Sequence, residues 1–186
     1  MELETTLKKI TKILNKLRIP YLVTGGVAIV VWGRPRYTAD IDIIVELHKD
    51  KIKKLASELV KEGYVDEDAI IEAIKYQSEF NFIDHATGVK VDFWMLENTS
   101  FDQSRLKRAR TRKMFGESII FTSPEDLILK KLLWFQESKS TRQLEDIHSV
   151  IAIIKDKLDY KYLRKWATKL KTIDILEELI RLSAAS

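Results

Sequence analysis

The sequence contains no cysteine and few residues that interrupt regular structure. Its 186 residues include only 3 Pro and 6 Gly. Without cysteine, the chain has no disulfide, no thiolate nucleophile and no cysteine-ligated zinc. The low content of proline and glycine excludes a flexible linker or a fibrous protein.

Long apolar runs and a strong charge imbalance are also missing. No stretch approaches the roughly 20 apolar residues of a membrane-spanning helix. The initial segment MELETTLKKI has no apolar centre like that of a signal peptide. These features predict a cytoplasmic protein with no membrane partner. The net charge of +4 weakly favours polyanionic partners such as nucleotides or RNA.

Strand-like and helix-like patterns alternate along the N-terminal part of the chain. An amphipathic helix is predicted for residues 3–18, and KDKIKKLASELVKEG predicts another that ends at Gly63. YLVT and IDIIVEL are typical of strands, with VAIVVWG as a short buried helix between them. EFNFIDHATGVKVDFWML predicts two strands joined by a turn at Ala86–Gly88.

The C-terminal part is predicted to be helical from Ser123 onward. Ser123 is a good N-cap, and Pro124 suits the first helical position. Glu125 and Asp126 complement the positive end of the helix dipole. The predicted division is an α/β core over residues 1–122 and a helical C-terminal segment over residues 123–186 that packs on the core.

Two acids, Asp40 and Asp42, interrupt an apolar run. Residues two apart in a strand point to the same face, so both carboxylates would lie side by side. Neighbouring carboxylates repel, and their burial is costly. Asp92, in a later predicted strand, becomes a third acid of the same site if its strand lies beside that of Asp42.

Such an acidic cluster becomes favourable when divalent cations bind between the carboxylates. Mg²⁺ prefers oxygen ligands and combines one or two carboxylates with substrate phosphates. Three acids on adjacent strands can hold two Mg²⁺ ions, or Mn²⁺ in their place, for an in-line displacement at phosphorus. Asp92 is then positioned to take the proton of the attacking hydroxyl.

Two glycines, Gly25 and Gly26, follow the strand YLVT. A Gly-Gly pair between a strand and a helix lets the backbone approach a phosphate closely, and a helix N-terminus favours a bound anion. Arg34 and Arg36 lie just before the acid pair and are predicted to reach a triphosphate.

The order of these residues resembles that of a known superfamily. Gly25-Gly26, then thirteen residues, then Asp40-Ile41-Asp42, then a lone Asp92 looks like the nucleotidyltransferases that include DNA polymerase β. GGVAIVVWGRPRYTADID and the later SPEDLILKKLLWF are similar to segments of the minimal and abortive-infection-type nucleotidyltransferases. The resemblance covers Tyr21–Ile154, which is most of the chain.

The resemblance implies an α/β (α+β) fold of the polymerase β-like nucleotidyltransferase type, with a mixed β-sheet flanked by helices and a C-terminal helical segment. It implies that Gly25 and Gly26 bind the triphosphate of an NTP such as ATP. Asp40, Asp42 and Asp92 would bind Mg²⁺ and carry the catalysis. The other residues predicted to bind the nucleotide are Arg34, Arg36, Thr38 and Lys130, with Lys131 as the alternative to Lys130.

Two functions fit this pattern. The first is a Mg²⁺-dependent nucleotidyltransferase that moves an NMP from an NTP to a hydroxyl and releases pyrophosphate. Its acceptor is an RNA such as a tRNA 3′ end, a protein side chain or a small molecule, and a homodimer or a cognate toxin–antitoxin partner could hold it. The second is a non-catalytic or partner-dependent component of a toxin–antitoxin or RNA-binding complex. The presence of all three acids favours the enzyme.

Three further features leave alternatives open. The run RLKRARTRK, Arg105–Lys113, has six basic residues in nine and is either a solvated helix face or a contact surface for an RNA backbone. Trp94 alternates onto the face of Asp92 and either packs in the core or lines the nucleotide pocket. Asp146 is either a helix-surface acid or the partner of a pocket arginine.

Overall fold

The computed structural model describes residues 2–184, and the chain divides into two compact units. The first unit contains the chain up to Val27 together with Tyr37–Phe121, and the second contains Ala28–Arg36 and the chain from Thr122 onward. The division predicted at residues 122/123 stays a prediction, because a compact unit is not by itself shown to fold alone. Within residues 2–184, no helix has both the length and the apolar character needed to cross a membrane.

A seven-stranded mixed sheet organises the first unit, which confirms the predicted mixed sheet. The strands are β1 (Tyr21–Thr24), β2 (Ile41–Val45), β3 (Gly63–Val65), β4 (Glu79–Asp84), β5 (Lys90–Met95), β6 (Arg110–Met114) and β7 (Glu117–Phe121). Their spatial order is β3-β4-β5-β2-β1-β7-β6. The pairs β2–β5 and β1–β7 are parallel, and the other pairs are antiparallel.

Nine α-helices lie within the described residues. They are α1 (Glu2–Lys16), α2 (Gly25–Trp32), α3 (Ile52–Val60), α4 (Glu67–Tyr76), α5 (Ser100–Lys107), α6 (Pro124–Ser138), α7 (Thr141–Ile154), α8 (Tyr160–Lys169) and α9 (Ile173–Ala184). Helices α1, α3, α4 and α5 belong to the first unit, and α6 to α9 to the second. Helix α2 begins in the first unit and ends in the second.

Apolar residues on one face of the central strands form part of the core of the first unit. Ile41 and Ile43 on β2, and Val91 and Phe93 on β5, are fully buried. The ring of Phe93 stacks on Phe80 of β4 at a centroid distance of 4.7 Å. Because side chains alternate between the two faces of a strand, the residues between these apolar positions must lie on the opposite face.

Helix α6 of the second unit begins as the sequence predicts. The Ser123 hydroxyl accepts a hydrogen bond from the Asp126 N–H, and Pro124 occupies the first turn of α6. At the end of α2, the Trp32 indole N–H donates to the Thr122 carbonyl at 3.0 Å. This bond ties the last turn of α2 to the start of the C-terminal helices within the same unit.

One local prediction and one of the alternatives left open are wrong. Gly63 does not end a helix. Helix α3 stops at Val60, and Gly63 begins β3, where an added Cβ would lie 2.1 Å from the Ile83 carbonyl oxygen. The run Arg105–Lys113 is not one helix face, because α5 ends at Lys107 and the rest of the run enters the edge strand β6.

Candidate active site

A row of polar residues crosses the sheet on the face opposite Ile41 and Ile43. Thr24 of β1 lies directly opposite Asp42 of β2, and Asp42 lies directly opposite Asp92 of β5. Asn81 of β4 continues the row beyond Asp92. Directly paired residues share one face of a sheet, so the strands of Asp42 and Asp92 are adjacent as predicted and their carboxylates lie on one surface.

Asp40 departs from the predicted geometry. Strand β2 begins at Ile41, so Asp40 lies immediately before the strand and not within it. Only Asp42 therefore has its direction fixed by the pleat of β2. The hydroxyl of Thr38 donates to the Asp40 backbone carbonyl at 3.3 Å, which ties the two residues within the loop that leads into β2.

Gly25 and Gly26 make room for two side chains of the site. Gly25 has a φ of +59°, and a Cβ there would lie 1.8 Å from Oδ2 of Asp42. A Cβ on Gly26 would lie 2.3 Å from the Thr38 hydroxyl oxygen. The glycines are not a break between β1 and α2, because Gly25 is the first residue of the helix. Their immediate structural reason is the close approach of Asp42 and Thr38.

Asp92 is buried, and its two carboxylate oxygens differ. It is 8% exposed, and Lys90, two residues earlier on the same face, places its Nζ 2.9 Å from Asp92 Oδ2. Oδ1 is buried and has no hydrogen-bond partner. A buried carboxylate oxygen without a partner is costly, so Oδ1 is the position at which a bound cation or a donor hydroxyl would be most stabilising.

Further charges surround the two acids. Glu79 of β4 pairs with Trp94 of β5, and the Trp94 indole N–H lies 3.4 Å from Asp42 Oδ1. Burial, with the nearby negative charges of Asp92 and Asp42, raises the pKa of Glu79. The hydrogen bond to Asp92 raises the pKa of Lys90, and its charge interactions with Asp92, Asp40 and Glu79 add to this effect.

The residues of this face fit a divalent cation in part. Asp42 and Asp92 stand in register, and Asp92 Oδ1 is a buried oxygen that lacks a partner. However, no group of three or more His, Cys, Asp or Glu residues within residues 2–184 is already arranged to hold a metal ion. The predicted set of Asp40, Asp42 and Asp92 as metal ligands therefore stays a prediction.

A separate buried ion cluster lies in the second unit. Asp146 of α7 accepts hydrogen bonds from Arg36 Nε at 2.8 Å and Nη2 at 2.7 Å. Lys131 of α6 is also buried, with Nζ 2.8 Å from Asp146 Oδ2 and 2.9 Å from Gln143 Oε1. Burial alone would raise the pKa of Asp146, but the hydrogen bonds from Arg36 and Lys131 lower it.

This cluster bears on three predicted nucleotide-binding residues. The pairing of Asp146 with an arginine is confirmed, since Arg36 holds it through two bonds. Lys130 is partly exposed on α6, whereas the neighbouring Lys131 is buried in the cluster. Arg34 is exposed, and its backbone N–H donates to the Ser149 hydroxyl at 3.2 Å. The predicted contacts of Arg34, Arg36 and Lys130 with a nucleotide stay predictions.

We expect Asp146→Asn to destabilise the protein by about 3–5 kcal/mol at neutral pH, because it leaves the buried Lys131 and the partly exposed Arg36 without their anion. The lowered pKa of Asp146 means that its contribution is complete above the ordinary carboxyl value of about 3.9. It is lost as the pH falls through the lower folded value. Urea denaturation between pH 7 and pH 2 checks this. The free energy of unfolding should fall less on acidification in Asp146→Asn than in the wild type.

The control for this measurement is Glu177→Gln. Glu177 pairs with Arg164 in the same unit, but both side chains are nearly half exposed, and exposed pairs contribute about 0–1 kcal/mol. Equal losses of stability in Asp146→Asn and Glu177→Gln would contradict the buried cluster.

Three residues of the polar face were not assigned a role from the sequence. Thr24 has a buried hydroxyl oxygen without a partner beside Asp42. Lys90 and Glu79 lie close enough to Asp92 to share its charge environment. The alternation around Asp92 places Lys90 on its face, but Thr24 and Glu79 reach the site only through strand pairing, which the sequence does not show.

Solved structures with this fold extend over almost the entire chain. The antibiotic-resistance factor ANT(2″)-Ia, solved in complex with adenylyl-2″-tobramycin, has a TM-score of 0.64 and 14% identity, over 92% of this chain and 98% of that one. An antigenic nucleotidyltransferase-like protein from Paracoccidioides brasiliensis has a TM-score of 0.58 and 20% identity, over 97% and 92%. The lincosamide antibiotic adenylyltransferase LnuA, lincomycin-bound, has a TM-score of 0.53 and 16% identity, over 82% and 98%.

These likenesses show the nucleotidyltransferase fold, which confirms the predicted fold class. No curated protein sequence matches the chain. A family model does: residues 3–181 match the family described as nucleotidyl transferase of unknown function (DUF2204). The chain belongs to this family and is a nucleotidyltransferase.

Proposed function

We propose that the protein transfers an NMP from an NTP to a hydroxyl group and releases pyrophosphate, with Asp42 and Asp92 as the central catalytic residues. The observation that carries this proposal is the register of β2 and β5, which places the two acids directly opposite each other. Two carboxylates in direct register repel, and a fold keeps such a pair when the ligand it binds is positively charged. A divalent cation that accompanies a nucleotide has this property.

The chain's own groups account for the proton and for the position of the acids. The acceptor oxygen forms a bond to the α-phosphorus, and the bond from that phosphorus to the oxygen that bridges to the β-phosphorus breaks. Asp92 Oδ1, buried and without a partner, takes the proton of the attacking hydroxyl. Thr38 fixes the loop that carries Asp40, and Gly25 leaves the space that Asp42 fills.

Mg²⁺ or Mn²⁺ would be held by Asp42 and Asp92, with Asp40 from the adjoining loop. When bound, such ions neutralise the triphosphate and stabilise the leaving pyrophosphate. The helix N-terminus at Gly25 and Gly26 supplies backbone N–H groups for a phosphate. Helix α2 spans only eight residues, so its dipole is weak. The two glycines therefore act mainly by leaving space.

Labelled ATP, GTP, CTP and UTP test the proposed reaction. Each NTP is supplied with its label on either the α- or the γ-phosphate, with Mg²⁺, in the presence of total RNA, cellular protein or small-molecule hydroxyl acceptors. The α-label should move to an acceptor and the γ-label should appear only in pyrophosphate. Transfer of the γ-label would identify phosphoryl transfer and contradict the proposal.

The edge strand β6 favours RNA among the acceptor classes. Arg110, Thr111, Arg112 and Lys113 are all exposed, and β6 is the last strand of the sheet. The nearby acid Glu117 of β7 is already paired with Lys12 at 3.0 Å. Both faces of the strand therefore present positive charge, which suits the phosphates of an RNA backbone.

Replacement of Arg110, Arg112 and Lys113 by Gln should weaken RNA binding and flatten its salt dependence. Each lost contact to a single strand lowers the slope of log K against log salt by about 0.7, so three lower it by about 2. Fluorescence anisotropy of a labelled RNA over a salt series measures this slope. Nucleotide binding by the variant should be unchanged.

The matched control replaces Lys49, Lys53 and Lys54 by Gln. These exposed lysines lie on or just before α3, which packs on β3 at the opposite edge of the sheet. The change in net charge is identical in the two variants. An equal decrease of the slope in both variants would show that RNA binding depends only on overall charge. It would contradict an RNA contact at the edge strand β6.

A small-molecule acceptor is the second candidate, and one observation favours it. Two structural neighbours that match nearly their full length carry antibiotic ligands or products in their solved forms. A non-catalytic role in a toxin–antitoxin complex, or transfer to a protein held by a cognate partner or dimer mate, would leave RNA unlabelled. The acceptor series above separates these cases, since each class of acceptor is supplied separately.

A further inference from the structure

Lys90 is a cation built into an otherwise acidic face. Its Nζ lies 2.9 Å from Asp92 Oδ2, and its side chain is 41% exposed while that of Asp92 is 12% exposed. The two residues share one face of β5 because they are two positions apart. The negative charges of Asp40 and Glu79 also act on Lys90.

The position of Lys90 creates a conflict with the proposed role of Asp92. The lysine ammonium and a divalent cation at the same carboxylate repel, and a full charge a few ångströms away is a strong perturbation even where solvent reaches the site. Asp92 Oδ1 has no partner, so Lys90 satisfies only half of the carboxylate. The contact therefore compensates the charge of Asp92 but leaves one of its two carboxylate oxygens without a partner.

Lys90 is also able to leave this contact. Its ammonium group is at the end of a flexible four-carbon stem. Part of the side chain is already exposed to solvent. A triphosphate that arrives at the acids supplies several anionic oxygens. An ammonium released from Asp92 has a new partner there.

We propose that Lys90 is the resident counter-cation of Asp92. It holds the carboxylate in place before substrate binds, opposes divalent-cation binding at Asp92, and turns to the triphosphate when the nucleotide arrives. This inference rests on the proposed function. Lys90 is a positioning residue for Asp92, and it makes cation binding depend on the nucleotide.

Mn²⁺ binding followed by electron paramagnetic resonance tests this role without any turnover. In the absence of nucleotide, Lys90→Met should bind Mn²⁺ about tenfold more tightly than the wild type, because the competing unit charge is gone. Adding α,β-methylene-ATP should strengthen Mn²⁺ binding in the wild type and much less in Lys90→Met. Lys90→Arg keeps the charge and should behave like the wild type.

The controls separate a failure of this inference from a failure of the proposed function. If Asp92→Asn weakens Mn²⁺ binding but Lys90→Met leaves it unchanged or weaker, the role of Lys90 is overturned and that of Asp92 stands. If Asp92→Asn and the wild type bind Mn²⁺ equally, Asp92 is not a ligand and both proposals fail. Lys90→Gln serves as a second uncharged variant if Lys90→Met does not fold, and Lys54→Met is the control for the loss of a lysine elsewhere.

Discussion

Gly25→Ala is expected to lower the rate of nucleotidyl transfer at least about 100-fold, because a displacement of about 1 Å in a catalytic group can have an effect of that size. The reason is steric and local. An alanine Cβ at this position would lie 1.8 Å from Oδ2 and 2.5 Å from Cγ of Asp42. Either the start of α2 or the Asp42 carboxylate must move, and Asp42 stands in register with Asp92.

The same substitution should also lower stability. The positive φ of Gly25 strains any L-residue by about 1–2 kcal/mol, and the clash with Asp42 adds to this strain. Thermal denaturation and the rate of transfer are both measured for the purified variant.

Gly88→Ala provides the matched control. Gly88 has a similar φ of +70°, but a Cβ there meets nothing within 4 Å. It should show the backbone strain without the loss of rate, since it lies in the turn between β4 and β5. Equal rates in Gly25→Ala and Gly88→Ala would show that the space beside Asp42 has no catalytic importance.

Asp42→Asn and Asp92→Asn are each expected to reduce transfer by about a thousandfold or more, since each removes a charge at the reacting phosphates. Asp42→Asn should not be less stable, whereas Asp92→Asn also loses its ion pair with Lys90. The two carboxylates lie directly opposite each other, and neutralising one relieves their repulsion. For Asp42→Asn, the expected companion result is a denaturation midpoint that is unchanged or raised by a few degrees, as about 1 kcal/mol produces in a chain of this size.

Asp84→Asn is the contrasting variant, because Asp84 is a structural acid of the same sheet. Its carboxylate is fully buried and accepts hydrogen bonds from Thr6 at 2.8 Å, Lys9 at 3.0 Å and the Ala86 N–H at 2.9 Å. Its neutralisation should cost about 3 kcal/mol and leave transfer intact wherever the protein remains folded. A loss of stability without a loss of rate in Asp42→Asn would place Asp42 with the structural acids.

The sequence predicts the acids of the site because their pattern is local. Asp42 and Asp92 each stand out as a carboxylate within an apolar strand, and alternation along β5 places Lys90 and Trp94 on the face of Asp92. The parallel pairing of β2 with β5 joins positions 50 residues apart, and nothing in either strand specifies its neighbour. The prediction that the two acids lie side by side therefore rested on the family resemblance and not on periodicity.

Other features could not be predicted, for physical reasons that differ. Gly63 suits both the end of a helix and a crowded strand position, and the neighbouring backbone of β4 decides between them. The strand β6 is basic on both faces, so it has no apolar period to identify it. The partner of Arg36 lies 110 residues away on α7, and Asp146 has no local sign of burial.

The central claim is that Asp42 and Asp92 form the site for the NTP and its divalent cation. Thermal denaturation with and without ligands tests this claim most directly. The wild type and Asp92→Asn are compared in buffer, with Mg²⁺ alone, with α,β-methylene-ATP alone, and with both. At 100 times the dissociation constant a bound ligand stabilises a protein by about 2.7 kcal/mol. The wild type should therefore gain several degrees only with both ligands, and Asp92→Asn should lose that gain. An equal gain in melting temperature in Asp92→Asn would contradict a site formed by the paired acids of β2 and β5.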